Sequence, residues 1–255
     1  MRGVAPFTMF TRDVVPGVHR GEDANTNWYL LQEGDRLTLV DAGVPTTWKT
    51  LQGGVEELGL PLSAIEALVL THAHFDHVGI AERLRLELGI PVLVHPADVE
   101  LTKHPMTYRT ERRRELYLLT QVQALPIVAT FARTGAFRPR PVQKVTTYAD
   151  GDVLDVPGRP KVVFTPGHTD GHCALHLPDA NAIITADALV TLDPYTNKRG
   201  PRLVARAATA DVATNLASLD AIEATGAQFV LPGHGEPFRS GVAAAVREAR
   251  AAGSA

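Results

Sequence analysis

Thr71-His72-Ala73-His74-Phe75-Asp76-His77 follows directly on the apolar run Ala67-Leu68-Val69-Leu70. From His72 to His77, three imidazoles and one carboxylate fall within six positions. Both side-chain types are ligands for borderline divalent cations such as zinc, manganese or iron. A β-prone apolar run that stops at such a cluster reads as a buried strand delivering metal ligands to the loop at its C-terminal end. Neighbouring side chains in that loop point in different directions, so His72 and His74 can serve one ion while Asp76 and His77 serve a second.

The pattern recurs downstream. Lys161-Val162-Val163-Phe164-Thr165 reads as a strand running into Pro166-Gly167-His168-Thr169-Asp170-Gly171-His172. Ala182-Ile183-Ile184-Thr185-Ala186 ends at Asp187, and Gln228-Phe229-Val230-Leu231 ends at Pro232-Gly233-His234-Gly235. Each short apolar run stops at a Gly or Pro turn or at a metal-competent side chain. Ligands gathered at strand ends suit a catalytic metal centre, which needs rigid donors and open positions for water and substrate.

Taken together, His-x-His-x-Asp-His at 72–77, Pro-Gly-His-Thr-x-Gly-His at 166–172, Asp187 and Gly-His-Gly at 233–235 resemble the motifs of the metallo-β-lactamase superfamily. The resemblance runs from about Trp28 to His234. It implies an α/β fold of αββα type, with two mixed sheets face to face, helices outside and the metals at one edge. It also implies that His72, His74 and His168 hold one divalent ion, that Asp76, His77 and His234 hold another, and that Asp187 bridges them with a hydroxide. Zinc is the first expectation for both ions, with manganese or iron as alternatives.

The segment around His168 is similar to that of glyoxalase II and the acyl-homoserine lactonases, which implies a hydrolase of esters, thioesters or lactones. On that reading the bridging hydroxide attacks the electrophilic centre, Asp76 relays a proton to the leaving group, and Tyr195 donates to the developing oxyanion. Two other activities of the same superfamily stay open: a mononuclear iron oxidoreductase of the persulfide dioxygenase type, and a nuclease.

A chain of 255 residues is compatible with one domain spanning 1–255. The net charge of -3 offers no nucleic-acid-binding surface. Cys173 is the single cysteine, which excludes an intrachain disulfide and fits a reducing compartment. It reads as a small buried thiol, since the ligand set is complete without it. With no signal-peptide pattern over Met1–Gly17 and no membrane-length apolar run, a soluble, cytoplasmic protein with no membrane partner is expected.

Trp28–Gln32, a Gly34-Asp35 turn and Arg36–Val40 predict a hairpin closing on Asp41. Cys173–Leu177, Pro178–Asn181 and Ala182–Ala186 predict its counterpart, closing on Asp187. Asp41 is expected to hydrogen-bond the backbone of the histidine loop rather than a metal. Trp48–Leu58 and Ile80–Leu88 predict helices ending near Gly59 and Gly89, and Pro91–His95 predicts a strand whose His95 is a polar neighbour of the pocket.

From Lys103 to Pro141 no ligand type recurs, and about 103–141 reads as a helical insertion near the metal edge. Apolar residues at Leu116, Leu118, Leu119, Val122, Leu125, Ile127, Val128 and Phe131 predict a helix broken by Pro126. Arg112-Arg113-Arg114 reads as a solvated helix face. The apolar face must be covered. It either lines a pocket for a small-molecule substrate with an apolar acyl or aromatic group, forms a homodimer contact, or closes the domain's own core.

Overall fold

The computed structural model describes residues 8–114 and 121–255. Seven strands form one mixed sheet in spatial order: β1 (Thr8–Val15), β2 (Val18–Asp23), β3 (Thr26–Glu33), β4 (Arg36–Val40), β5 (Ile65–Val69), β6 (Val92–Val94) and β7 (Thr146–Thr147). The first four are antiparallel neighbours, whereas β4 through β7 run parallel. A second sheet is built from β8 (Lys161–Phe164), β9 (Cys173–Leu177), β10 (Ala182–Ala186) and β13 (Phe229–Pro232), in the order β13-β10-β9-β8. β11 (Val190–Leu192) and β12 (Arg199–Arg202) make a small antiparallel ribbon.

Alternation along the strands explains the layers. Leu30, Leu39 and Leu68 face outward from the first sheet and pack with Leu51 and Val55 of α1 (Thr47–Glu57) and Leu84 of α2 (Ala81–Leu88). Their neighbours Leu31, Val40 and Val69 face inward onto Leu175, Ile184 and Leu231 of the second sheet. On that sheet's outer face, Ala174, Ile183 and Val230 pack with Leu219 and Ile222 of α5 (Val212–Glu223) and Ala245 and Val246 of α6 (Val242–Ala252). Strands apolar on both faces require cover on both. The result is the expected order of helix, sheet, sheet and helix.

The two predicted hairpins form, with Glu33 opposite Arg36 and Leu177 opposite Ala182. Gly59 and Gly89 adopt the left-handed conformation just past α1 and α2. That backbone state is open to glycine at little cost and stops each helix where the sequence indicates.

The segment between α3 (Val99–Lys103) and β7 departs from expectation. Leu116, Leu118 and Leu119 lie outside the described residues. Pro126 does not interrupt a helix; it sits in the first turn of α4 (Leu125–Arg133), where its missing N–H costs nothing. Val122 and Leu125 are 64 % and 51 % exposed, while Ile127 and Phe131 are buried with Val44, Phe75 and Ala136. Arg114 is not on a solvated face. Its guanidinium lies 4.2 Å over the Tyr108 ring and donates to the Met106 carbonyl at 3.0 Å. No helix among the described residues is long and apolar enough to cross a membrane.

Candidate metal centre

Strand ends from both sheets meet at one edge. The loop after β5 carries His72, His74, Asp76 and His77; His168 lies between β8 and β9, Asp187 follows β10 and His234 follows β13. All seven side chains are buried.

Each half of the cluster is braced by a further buried carboxylate. Asp41, just past β4, accepts from the Thr71 amide at 2.8 Å, from the Thr71 hydroxyl at 2.8 Å and from His77 Nδ1 at 2.9 Å. The expected support from Asp41 is thus present at the head of the histidine loop, and it reaches the His77 ring as well. Asp98, just after β6, accepts from the Ala73 amide at 3.0 Å, the Thr169 hydroxyl at 2.8 Å and the Gly171 amide at 2.8 Å. One side chain therefore ties the loop of His72 and His74 to the loop of His168. Sequence reasoning missed it, although an acid at a strand end was the available signal. A Cβ on Gly171 would lie 2.6 Å from the Asp98 carboxylate, so the contact also depends on glycine there.

Asp187 is set from two sides. His172 Nδ1 meets the Thr165 hydroxyl at 2.8 Å, and its Nε2 accepts from the Asp187 amide at 3.2 Å. The preceding residue, Ala186, is held at φ 42°, an unusual state for an alanine. A Cβ on Gly233 would stand 2.0 Å from Asp187 Oδ1, so only glycine lets the carboxylate occupy this position. The His234 loop is gripped by the first sheet. Asn27 Nδ2 donates to the Pro232 and Gly235 carbonyls at 2.8 Å each, and the Tyr29 hydroxyl donates to Pro232 at 2.7 Å. His234 Nδ1 donates to the Asn25 carbonyl at 2.7 Å.

With Nδ1 of His72, His77 and His234 engaged, the remaining nitrogens converge, and His74 Nδ1 lies 2.9 Å from His168 Nε2. His72, His74 and His168 form one group whose ligand atoms lie within 4.8 Å of one another, and Asp76, His77 and His234 form another. Asp187 reaches into both, 3.4 Å from His168 Nε2, 3.6 Å from His77 Nε2 and 3.2 Å from His234 Nε2. Asp41 joins His72 and His77 in a third such grouping, but its carboxylate is already engaged with Thr71 and His77.

Electrostatics favour cations here. Burial works against the charge of Asp187, yet His234, His77 and His168 hold its carboxyl well below the ordinary range. Burial likewise opposes a charged His77, but Asp187, Asp41 and Asp76 raise the ring to about 10. Burial lowers His168 to about 4, so its ring is neutral at neutral pH, the form that can ligate a metal.

The donors fit a divalent metal. His72 Nε2, His74 Nε2, His77 Nε2 and Asp187 Oδ1 are buried with no hydrogen-bond partner. Buried polar atoms are ordinarily satisfied. His72 Nε2, His77 Nε2 and Asp187 Oδ1, orphans of imidazole and carboxylate type in one cluster, are what a borderline cation would satisfy.

The other sequence candidates fall outside the donor set. Cys173 is buried, its Sγ 3.7 Å from the Gly171 carbonyl, and burial pushes the thiol up to about 12. His95 stacks on Phe164 with ring centroids 4.5 Å apart. Tyr195 lies near the centre, its hydroxyl 3.3 Å from that of Tyr108. Tyr108, which the sequence did not single out, stacks over His74 with centroids 3.9 Å apart. Burial pushes the Tyr108 phenol up to about 12, so it keeps its proton at neutral pH.

Comparisons with known proteins agree with this geometry. A family model described as the metallo-beta-lactamase superfamily matches residues 21–234. A probable metallo-hydrolase, YflN of Bacillus subtilis (strain 168), is 25% identical over 256 residues, covering 89% of this chain and 86% of its own. A metallo-beta-lactamase family protein from Thermus thermophilus, TTHA1429, superposes with a TM-score of 0.64 at 26% identity, covering 95% of this chain and 77% of that one. The crystal structure of TTHA1623 in a di-iron-bound form superposes with a TM-score of 0.61 at 26% identity, covering 94% and 97%.

Proposed function

The chain belongs to the metallo-beta-lactamase superfamily, and from that premise we propose that it is a dinuclear metal hydrolase acting on an ester, thioester or lactone. The observation that carries the reading is Asp187, one carboxylate within 3.2–3.6 Å of imidazoles belonging to both donor groups. In this assignment His72, His74 and His168 hold one ion, Asp76, His77 and His234 hold the other, and Asp187 spans them. The similarity to a chain crystallised in a di-iron-bound form supports a pair of ions. Zinc is the favoured metal, with manganese or iron as alternatives.

When bound, such a pair supplies Lewis acidity and activates water at neutral pH. The remaining work falls to side chains. Tyr195 donates a hydrogen bond to the substrate oxygen that gains charge, and Tyr108, 3.3 Å away, holds that hydroxyl in place. Asp76, whose carboxyl burial raises despite His77 and His234, carries a proton to the leaving group. Asp41 and Asp98 keep the histidine loop from shifting as substrate arrives. Tyr108 and Phe131 help limit the open space over the donors to about 10 Å³, no more than the ~10–15 Å³ needed for one water.

Metal analysis and substrate screening on one sample test the proposal. The expected outcome is two ions per chain, turnover within a panel of thioesters, lactones and aryl esters, loss of turnover with a chelator, and its return with zinc or manganese. One iron per chain with oxygen uptake on a persulfide would replace the hydrolase reading with the oxidoreductase one.

A further inference from the structure

Beside the donors, and sharing Phe75, Phe131, Pro194 and Tyr195 with the space above them, lies a cavity of about 80 Å³. Val128 and Phe137 complete its apolar wall and Arg114 stands at its rim. Phe75 meets Phe131 edge-on, with centroids 5.5 Å apart, and Phe137 at the same distance. On the other flank the cavity bordered by Asp98, Thr107, Arg109, Thr169 and Asp170 is polar, with Arg109 and Asp170 paired at 2.6 Å. Two larger cavities, about 360 Å³ around Gly17 and Gly158 and about 370 Å³ around Ile80 and Arg138, contain none of the donor residues.

The space above the donors accepts only the reacting atoms, so the rest of a substrate must enter a flank. We infer that the Phe75–Val128–Phe131–Phe137 cavity is a specificity subsite for a short branched alkyl group on the acyl side of the substrate. The inference rests on the metal centre proposed above. Size excludes larger groups: about 80 Å³ is roughly half of the ~150 Å³ cavity that takes benzene. Aromatic faces favour an aliphatic occupant over a charged one: Arg114, the charged residue among the described lining, already lies over the Tyr108 ring and donates to the Met106 carbonyl, so burying a charge here would cost desolvation for little pairing.

A binding series tests this independently of turnover. Hydroxamates anchor to a metal by their head group, so methyl, isobutyl, phenyl and heptyl hydroxamates are titrated into the metal-loaded full chain by calorimetry. Each buried methylene is worth roughly fourfold in affinity. The isobutyl compound should bind about tenfold or more tighter than the methyl compound, with no further gain for phenyl or heptyl. Val128 is half-buried, so Val128→Phe fills the cavity without disturbing the core, and the isobutyl gain should shrink to about twofold or less. Phe131→Ala should enlarge the cavity and move the preference to phenyl.

A flat series in the wild-type protein, binding by no member, or an undiminished isobutyl gain in Val128→Phe overturns the subsite. If the isobutyl gain is present while no ester, thioester or lactone is turned over, the subsite stands and the hydrolase reading falls.

Discussion

The donor cluster and the wall that covers it are built on different principles. Every donor ring or carboxylate sits in a loop that follows a strand, and the loops are tied by hydrogen bonds with Asp41, Asp98, Asn27 and His172. The wall built from Phe75, Tyr108, Phe131 and Phe137 is held by ring edges, by one cation–π contact and by the burial of Ile127 and Phe131, with Val122 and Leu125 left in solvent. Chemistry needs donors fixed to a fraction of an ångström, and hydrogen-bonded strand ends supply that. Selectivity needs only a surface of the right shape, and packed aromatics supply that more loosely. The donors should therefore be intolerant of change, and the wall adaptable.

The largest effect should come from the member common to both donor groups. Asp187→Ala is expected to leave a folded chain that binds fewer than two ions, with turnover reduced beyond the roughly 10–100-fold that losing a supporting partner costs. A variant retaining two ions and full activity would erase the distinction between donors and supports.

Next come the two braces. If two ions bind as proposed, Asp41→Ala should weaken the one assigned to Asp76, His77 and His234, whereas Asp98→Ala should weaken the one assigned to His72, His74 and His168, each by about 10–100-fold in chelator competition. Even Asp98→Asn should fail, because its NH₂ must face either the Gly171 amide or the Ala73 amide, donor against donor. The asparagine has a second signature. Burial pushes the Asp98 carboxyl from 3.8 up to about 6, against hydrogen bonds from Thr169, Ala73 and Gly171. The folded chain then holds a proton that the unfolded chain releases between about pH 4 and about pH 6. This group's contribution to stability is thus present below that window and lost as pH rises through it. The wild-type minus Asp98→Asn difference in unfolding free energy, measured on chelated protein, should fall across the window; a level difference would show that Asp98 is ionised throughout.

The smallest effect belongs at the boundary of the two regions. Tyr195→Phe should lower kcat by an amount on the order of tenfold with little change in KM. That is less than the roughly 10²–10³ for a sole oxyanion donor, because the Tyr108 hydroxyl remains beside it. A changed KM with unaltered kcat would assign Tyr195 to the wall alone.

The same contrast explains what the sequence disclosed. His72, His74, Asp76, His77, His168, Asp187 and His234 were legible because metal chemistry admits few side chains and because each follows an apolar run of strand length. The layers were legible because Leu30-Leu31, Leu39-Val40 and Leu68-Val69 each place one apolar side chain on either face of a sheet. Asp98 was hidden because a carboxylate serving three backbone and hydroxyl donors looks, in sequence, like any other acid after a short strand. Tyr108 and Arg114 were hidden because their partners, His74 and Tyr195 for the one and the Tyr108 ring for the other, are set by folding and not by spacing. Pro126 was misread as an interruption because apolar residues flank it on both sides, yet the helix begins there.

One backbone detail bears on how this protein would respond to engineering. Replacing non-glycine residues of left-handed conformation with glycine relieves strain and is a route to higher melting temperatures, and here Asp41 at φ 60° and Ala186 at φ 42° would head the candidates. Both flank the donor cluster: one braces His77 and the other aims Asp187. A library selected for heat tolerance alone would be drawn to Ala186→Gly, and would exchange the aim of a carboxylate for a few degrees of thermal tolerance.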